Sequence, residues 1–128
     1  MKNYKILIFL SVLIYCVSCR NEEKQNLDVN VSGNVAKQNG VSISDVKILI
    51  TRGKTISYFP AIYKAFDSLN TEKNGNYSYI VKDDGYEYKI CCGVPQGYSS
   101  VSPNCKDVDK SIVNSHTIPN IINFTVTK

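Results

Sequence analysis

Residues 87–92 read Glu-Tyr-Lys-Ile-Cys-Cys, and their alternation decides the fold class. Tyr88, Ile90 and Cys92 fall on one side, Glu87, Lys89 and Cys91 on the other. A period of two turns one face of a strand to a core and the other to water. The same period extends outward in both directions. Toward the N-terminus, Val29, Val31 and Val35 recur with Gly33 on their side, while Asn30, Ser32 and Asn34 face away. Val46, Ile48 and Ile50 alternate with Asp45, Lys47 and Thr51, with Leu49 as the exception on the polar side. Tyr77, Tyr79 and Val81 alternate with Ser78 and Lys82; toward the C-terminus Ile122, Phe124 and Val126 alternate with Asn123, Thr125 and Thr127. β-branched and aromatic residues dominate the inward sides, as half-buried strands require. Turn chemistry sits between the runs at Asn39-Gly40, Asn74-Gly75 and Asp83-Asp84-Gly85. The expected fold is all-β: a single antiparallel β-sandwich of about seven strands over residues 29–128.

One stretch resists this reading. In residues 61–69 (AIYKAFDSL), after Pro60, the residues Ile62, Ala65, Phe66 and Leu69 sit at helical spacing. The segment is shorter than the roughly 12–15 residues of a marginally stable isolated helix. Helix, strand and loop stay open across residues 53–72.

Composition bounds the rest. The chain has 128 residues, 43% hydrophobic and 20% charged, enough for one core and too apolar for wholesale disorder. A net charge of +4 without an Arg/Lys cluster gives no nucleic-acid surface.

The first residues read as an address. Met1–Lys5 carries two lysines and no acid, and residues 6–17 (ILIFLSVLIYCV) are apolar but for Ser11. That run is too short to span about 30 Å of hydrocarbon and reads as a secretory signal peptide over residues 1–18. The segment Cys16-Val17-Ser18-Cys19 resembles a bacterial lipoprotein lipobox, departing from it in having Cys16 where Leu is usual. The resemblance implies cleavage before Cys19, three acyl chains on that residue and firm membrane anchoring; one chain alone holds only marginally. Residues 19–28 then form a lipidated flexible tether. Within it, Asn21-Glu22-Glu23 resembles the acidic export signal of surface lipoproteins in one large group of Gram-negative bacteria. The expected location is the outer membrane, at the cell surface.

A second resemblance covers residues 29–127. The order VSGNV, NGVSISDVKILITRG, NGNY, GYEYKI and VPQGY resembles carboxypeptidase regulatory-like and transthyretin-like (prealbumin-like) domains. Gly33, Val35, Val46, Ile48, Gly75, Tyr77, Tyr88, Ile90, Pro95, Gly97 and Tyr98 occupy the places of that pattern. The segment Gly53–Leu69, longer and more aromatic than the family's link, and the clustered cysteines depart from it. The resemblance implies a prealbumin-like sandwich that serves as a structural or binding unit. Some transthyretin-like proteins hydrolyse a urate derivative, using several histidines, an arginine and a Y-R-G-S terminus. This chain has one histidine and ends NFTVTK, which argues against that branch.

Few residues offer chemistry. Cys91, Cys92 and Cys105 would meet an oxidising compartment, where a disulfide is favoured over a metal site. Neighbours on a strand point to opposite faces; Cys92–Cys105 is the preferred pairing and Cys91–Cys105 the alternative. Zinc on three cysteines and His116 lacks paired C-x-x-C spacing. His116, in NSHTIPN, reads as a solvated loop residue rather than a catalytic base. Asp83, Asp84, Asp107 and Asp109 lack a calcium-loop signature. No cofactor is called for. Asp67-Ser68-Leu69 resembles a periplasmic O-glycosylation acceptor, with Ser68 as the modified residue. The aromatics Tyr58, Phe59, Tyr63 and Phe66, with Tyr98, either cover a sandwich edge or form a contact surface for an envelope protein or a glycan. The expected function is a non-enzymatic structural or protein-interaction module. A glycan-binding accessory of polysaccharide uptake is the alternative; a small hydrolase is disfavoured for want of a catalytic set.

Overall fold

The computed structural model describes residues 28–110 and 120–128. They form nine strands: β1 (Val29–Lys37), β2 (Lys47–Gly53), β3 (Lys64–Asn70), β4 (Asn76–Val81), β5 (Glu87–Cys92), β6 (Ser100–Ser102), β7 (Cys105–Asp107), β8 (Asn120–Ile121) and β9 (Phe124–Thr127). One sheet runs β4-β1-β9-β6 with β8 also on β1; the other runs β3-β2-β5-β7. The five strands read from periodicity are present, and the expected β-sandwich stands. The count exceeds seven because β6, β7 and β8 are too short to show a period.

The second sheet is wholly antiparallel; the first is mixed. β1 meets β4 antiparallel from Val29↔Val81 to Asn34↔Asn76. On its other side it meets β8 at Val31↔Asn120 and β9 at Val35↔Phe124, both parallel. Gly33 lies where the chain passes from β8 to β9. A Cβ there would run into the carbonyl of Ile122, whose amide donates to Ser32 O at 2.9 Å and whose oxygen accepts the Tyr77 hydroxyl. The glycine that looks like a gap in the Val29–Val35 apolar face is what lets two backbones approach.

Between the sheets Ile48, Ile50 and Ile90 pack with Val31, Val35, Val81 and Phe124, all fully buried or nearly so. The Tyr77 and Phe124 rings lie 6.2 Å apart.

The open stretch becomes an edge strand. β3 pairs with β2 from Lys47↔Asn70 to Arg52↔Lys64, with a register shift at Ile50/Thr51 that leaves Phe66 unpaired. This bulge produces the apparent helical spacing: an inserted residue breaks the period of two. Ile62 lies outside the strand, Ala65 is exposed, and Leu69 packs against the core.

The ladders define two ends. Gly53 pairs with Glu87 at one end and Ile48 with Cys92 toward the other. Val29 pairs with Val81, and residues 82–86 link Val81 to Glu87, so the start of β1 and the β2–β3 loop share an end.

Candidate functional site

At that shared end the chain leaves β2 through Gly53, which is buried; a Cβ there would lie 2.8 Å from the carbonyl oxygen of Ile62. The loop between them is thereby drawn together at its base and projects outward. Its outer turn is Ile56-Ser57-Tyr58-Phe59, closed by the Phe59 amide donating to Ile56 O at 3.0 Å. Ser57 holds φ at 52°, a left-handed conformation costly for a residue with a side chain. Tyr58 is 100% exposed, Ile62 78%, Phe59 75% and Ile56 66%. Four large apolar side chains thus stand in solvent on one short loop and make its apolar tip, three from the outer turn and Ile62 from the returning limb, whose backbone meets Gly53 while its side chain faces water.

The base beneath is firmly built. Glu87 accepts hydrogen bonds from the hydroxyls of Thr55 and Tyr63, each at 2.8 Å, and these bonds hold its carboxyl below the usual range. Burial and the bond to Glu87 push the Tyr63 hydroxyl up to about 12. Lys89 lies 4.3 Å above the Tyr63 ring and 3.7 Å from Asp107. Arg52 is held between aromatic faces, 3.8 Å from the Phe66 centroid and 4.4 Å from that of Tyr86, with Asp84 at 3.4 Å. The guanidinium is attracted to the negative faces of both rings, which hold it in place. Tyr88, almost wholly buried, sends its hydroxyl to Asp84. Partial burial would raise the Asp84 carboxyl, but the bonds from Tyr88 and the Tyr86 amide and the charge of Lys110 outweigh it and leave it lowered.

The sequence-predicted residues separate accordingly. Tyr58 and Phe59 form the tip. Tyr63 belongs to the base, its hydroxyl and ring both engaged. Phe66 packs edge-on to Tyr88, with 6.0 Å between centroids. Tyr98 follows the far end of β5 and lines a shallow hollow with Lys37, Asn39 and Val126, packed against the core. The aromatics therefore do not converge. Ser68 is exposed on the edge strand β3. Asp84 is engaged by Arg52, Lys110 and Tyr88, and Asp107 pairs with Lys89. Cys19, Asn21, Glu22, Glu23 and His116 lie outside the described residues. Sequence reasoning missed Ile56 and Ile62 as tip residues and Arg52 as the centre of the base; an arginine ending an inward-facing alternation was its signal.

The preferred cysteine pairing is corrected. Cys91 is bonded to Cys105, and Cys92 is a buried free thiol. Cys91 and Cys105 face each other in the β5–β7 ladder, on the outward side beside Leu49, which pairs with Cys91 in β2–β5. Cys92 stands opposite Ile48 and points into the core, away from β7. Burial pushes its thiol up to about 11.

No protein-family model matches the chain, and no curated protein matches it. Solved structures do. The C-terminal domain of the shaft pilin spaA from Lactobacillus rhamnosus GG is similar at 10% identity, over 78% of this chain and 97% of that one, with a TM-score of 0.50. A streptococcal ancillary pilin is similar at 15% identity over 79% of this chain, which spans 32% of the pilin, with a TM-score of 0.48. A 3-chlorocatechol 1,2-dioxygenase from Rhodococcus opacus 1CP gives 15% identity, 85% and 62% coverage and a TM-score of 0.48. At such identities likeness concerns the fold alone: the chain is an all-β sandwich of the kind that forms the C-terminal domain of that shaft pilin.

Proposed function

We propose that this chain is a lipid-anchored module of the outer envelope, displayed at the cell surface, that works by contact and not by catalysing a reaction. The observation that carries the reading is the β2–β3 tip, where Ile56, Tyr58, Phe59 and Ile62 point outward from a braced base. Apolar side chains gathered on a projecting loop serve adhesion to a second surface. Anchoring rests on the lipobox resemblance at Cys19, and display on Asn21-Glu22-Glu23. The carboxypeptidase regulatory-like resemblance fits a structural or protein-interaction role, and Ser68, exposed on β3, is open to the glycosylation that its motif suggests.

Glycan binding is the second reading, favoured by Tyr58 and Phe59 standing adjacent and free to stack on a sugar ring. Two experiments on the full chain decide. Cys19→Ala should abolish palmitate labelling and partition into the detergent phase; retention of both overturns the anchor. Detergent-solubilised lipoprotein should hold no glycan selectively on an array. Selective retention that is lost in Tyr58→Ala/Phe59→Ala gives the tip to a glycan.

A further inference from the structure

We propose that the tip formed by Ile56, Tyr58, Phe59 and Ile62 docks into the lipid surface that holds the anchor, so that the sandwich stands on the end where β1 begins. The inference rests on the anchoring at Cys19 proposed above and names what the tip touches.

The entry point of the domain gives the first argument. Asp28 accepts the Asp83 amide at 2.9 Å and pairs with Lys82 at 3.0 Å, which pins the start of the domain to the β4–β5 turn, at the same end as the tip. Only residues 20–27 separate Asp28 from Cys19. Fully extended they reach about 30 Å, and as a flexible coil about 16 Å. The seven residues of β2 alone span about 24 Å at the antiparallel rise. For the domain to stand on its other end, the tether would have to run along its whole length. With the tether slack, the end that bears the tip lies toward the lipid.

The chemistry of the tip agrees. Residues 53–66 (GKTISYFPAIYKAF) contain Lys54 and Lys64 and no acid. Tyrosine suits the headgroup level of a bilayer, aliphatic and phenyl groups the boundary beneath it, and flanking lysines reach back to phosphates. Three of the acids at this end are turned to other work: Glu87 to Thr55 and Tyr63, Asp84 to Arg52 and Lys110, Asp28 to Lys82; a fourth, Asp83, is exposed on the β4–β5 turn. A short tether also holds the tip at high effective concentration near the membrane. The contact then has only to orient a domain that the acyl chains already retain.

The chain has no tryptophan of its own, so one introduced residue reports unambiguously. Full-length lipidated Tyr58→Trp, reconstituted in phosphatidylcholine vesicles with a minority of phosphatidylglycerol, should show blue-shifted emission. Brominated acyl chains should quench most of it. Val41→Trp, exposed on the β1–β2 loop at the opposite end, should emit as if in water and resist the quencher. Adding Ile56→Ser, Phe59→Ser and Ile62→Ser to Tyr58→Trp should return its emission to the water-exposed position while the protein still floats with the vesicles. Red, unquenched emission from Tyr58→Trp on a chain that floats overturns the inference, leaves the anchor standing and gives the tip to a protein or glycan. Equal quenching of Tyr58→Trp and Val41→Trp also overturns it. A chain with Cys19 intact that does not float overturns the anchoring and the inference with it.

Discussion

Gly33 and Gly53 show how much of this molecule turns on the lack of a single carbon. Both stand where one stretch of backbone must come close to another: Gly33 to the Ile122 carbonyl, Gly53 to that of Ile62. The consequences differ because their neighbours differ. Ile62 belongs to an exposed loop that can move, whereas Ile122 is buried beside Phe124 and its oxygen holds the Tyr77 hydroxyl. Gly33→Ala must therefore displace backbone at the seam of the first sheet. Overpacking a filled core costs about 1–3 kcal/mol and sometimes more, and rigid backbone as the obstacle places this case at the upper end. Urea denaturation should show a loss of about 3 kcal/mol or more. Thr125→Ala, an exposed change on the adjacent strand, should stay within about 0.5 kcal/mol.

At the scale of elements, legibility follows length and alternation. β1, β2, β4, β5 and β9 present a period of two and could be read directly. β3 could not, because its bulge at Phe66 removes the period, and β6, β7 and β8 are too short to have one. The parallel meeting of β1 with β9 joins residues near 35 and 124; local pattern carries no information about so distant a partner. For the candidate site, the sequence left Tyr58 and Phe59 either covering a sandwich edge or standing as a contact surface, and both stand in solvent. Tyr63 and Tyr98 look the same in sequence and differ only through Glu87, Lys89 and the core residues that cover them. Leu49 was a usable clue, since an apolar residue on a polar face marks something apolar beside it, here the Cys91–Cys105 bridge. Its 14-residue separation predicts that Cys91→Ser/Cys105→Ser loses about 3 kcal/mol in chain-entropy reasoning. Cys92, with its thiol raised to about 11, should resist iodoacetamide at neutral pH until denaturant is added. Rapid native alkylation, or a Cys92–Cys105 peptide in a non-reducing map, would contradict the assignment. The β4–β5 turn makes a pH prediction. Asp84 and Glu87 sit below their ordinary values of 3.8 and 4.5. Their stabilisation is complete above those values, where the unfolded chain is also ionised, and is lost as pH falls through the lower native ones. The denaturation midpoint should decline on acidification below about pH 4.5, and Glu87→Gln with Asp84→Asn should flatten that decline.

At the scale of the whole molecule, the first sheet is closed by its last strand. β9 lies between β1 and β6; among the described residues it is the strand that pairs with β6, through Ser100↔Thr127 to Ser102↔Thr125. Ser99 donates to Thr127 O at 2.8 Å. The approach to β9 brings Ile122, and β9 itself brings Phe124 and Val126, each no more than 2% exposed. Burying a side chain of this size contributes about 1.5–3 kcal/mol, while a domain retains only about 5–15 kcal/mol in all. Three such groups approach the whole margin before the lost ladders of β1 and β6 are considered. Removal of residues 120–128 should therefore abolish cooperative unfolding, leaving a sloping denaturation curve and a collapsed far-UV β signal. The tip makes the opposite case, since Ile56→Ser/Phe59→Ser removes apolar surface that is already in water and should move the midpoint by less than about 0.5 kcal/mol. A C-terminal truncation that still unfolds cooperatively with a near-normal midpoint would show that β1 does not need β9, and that the first sheet closes some other way. If the prediction holds, β1 gains its parallel neighbours only once residues 120–127 are available, so the first sheet cannot close before that segment has joined it.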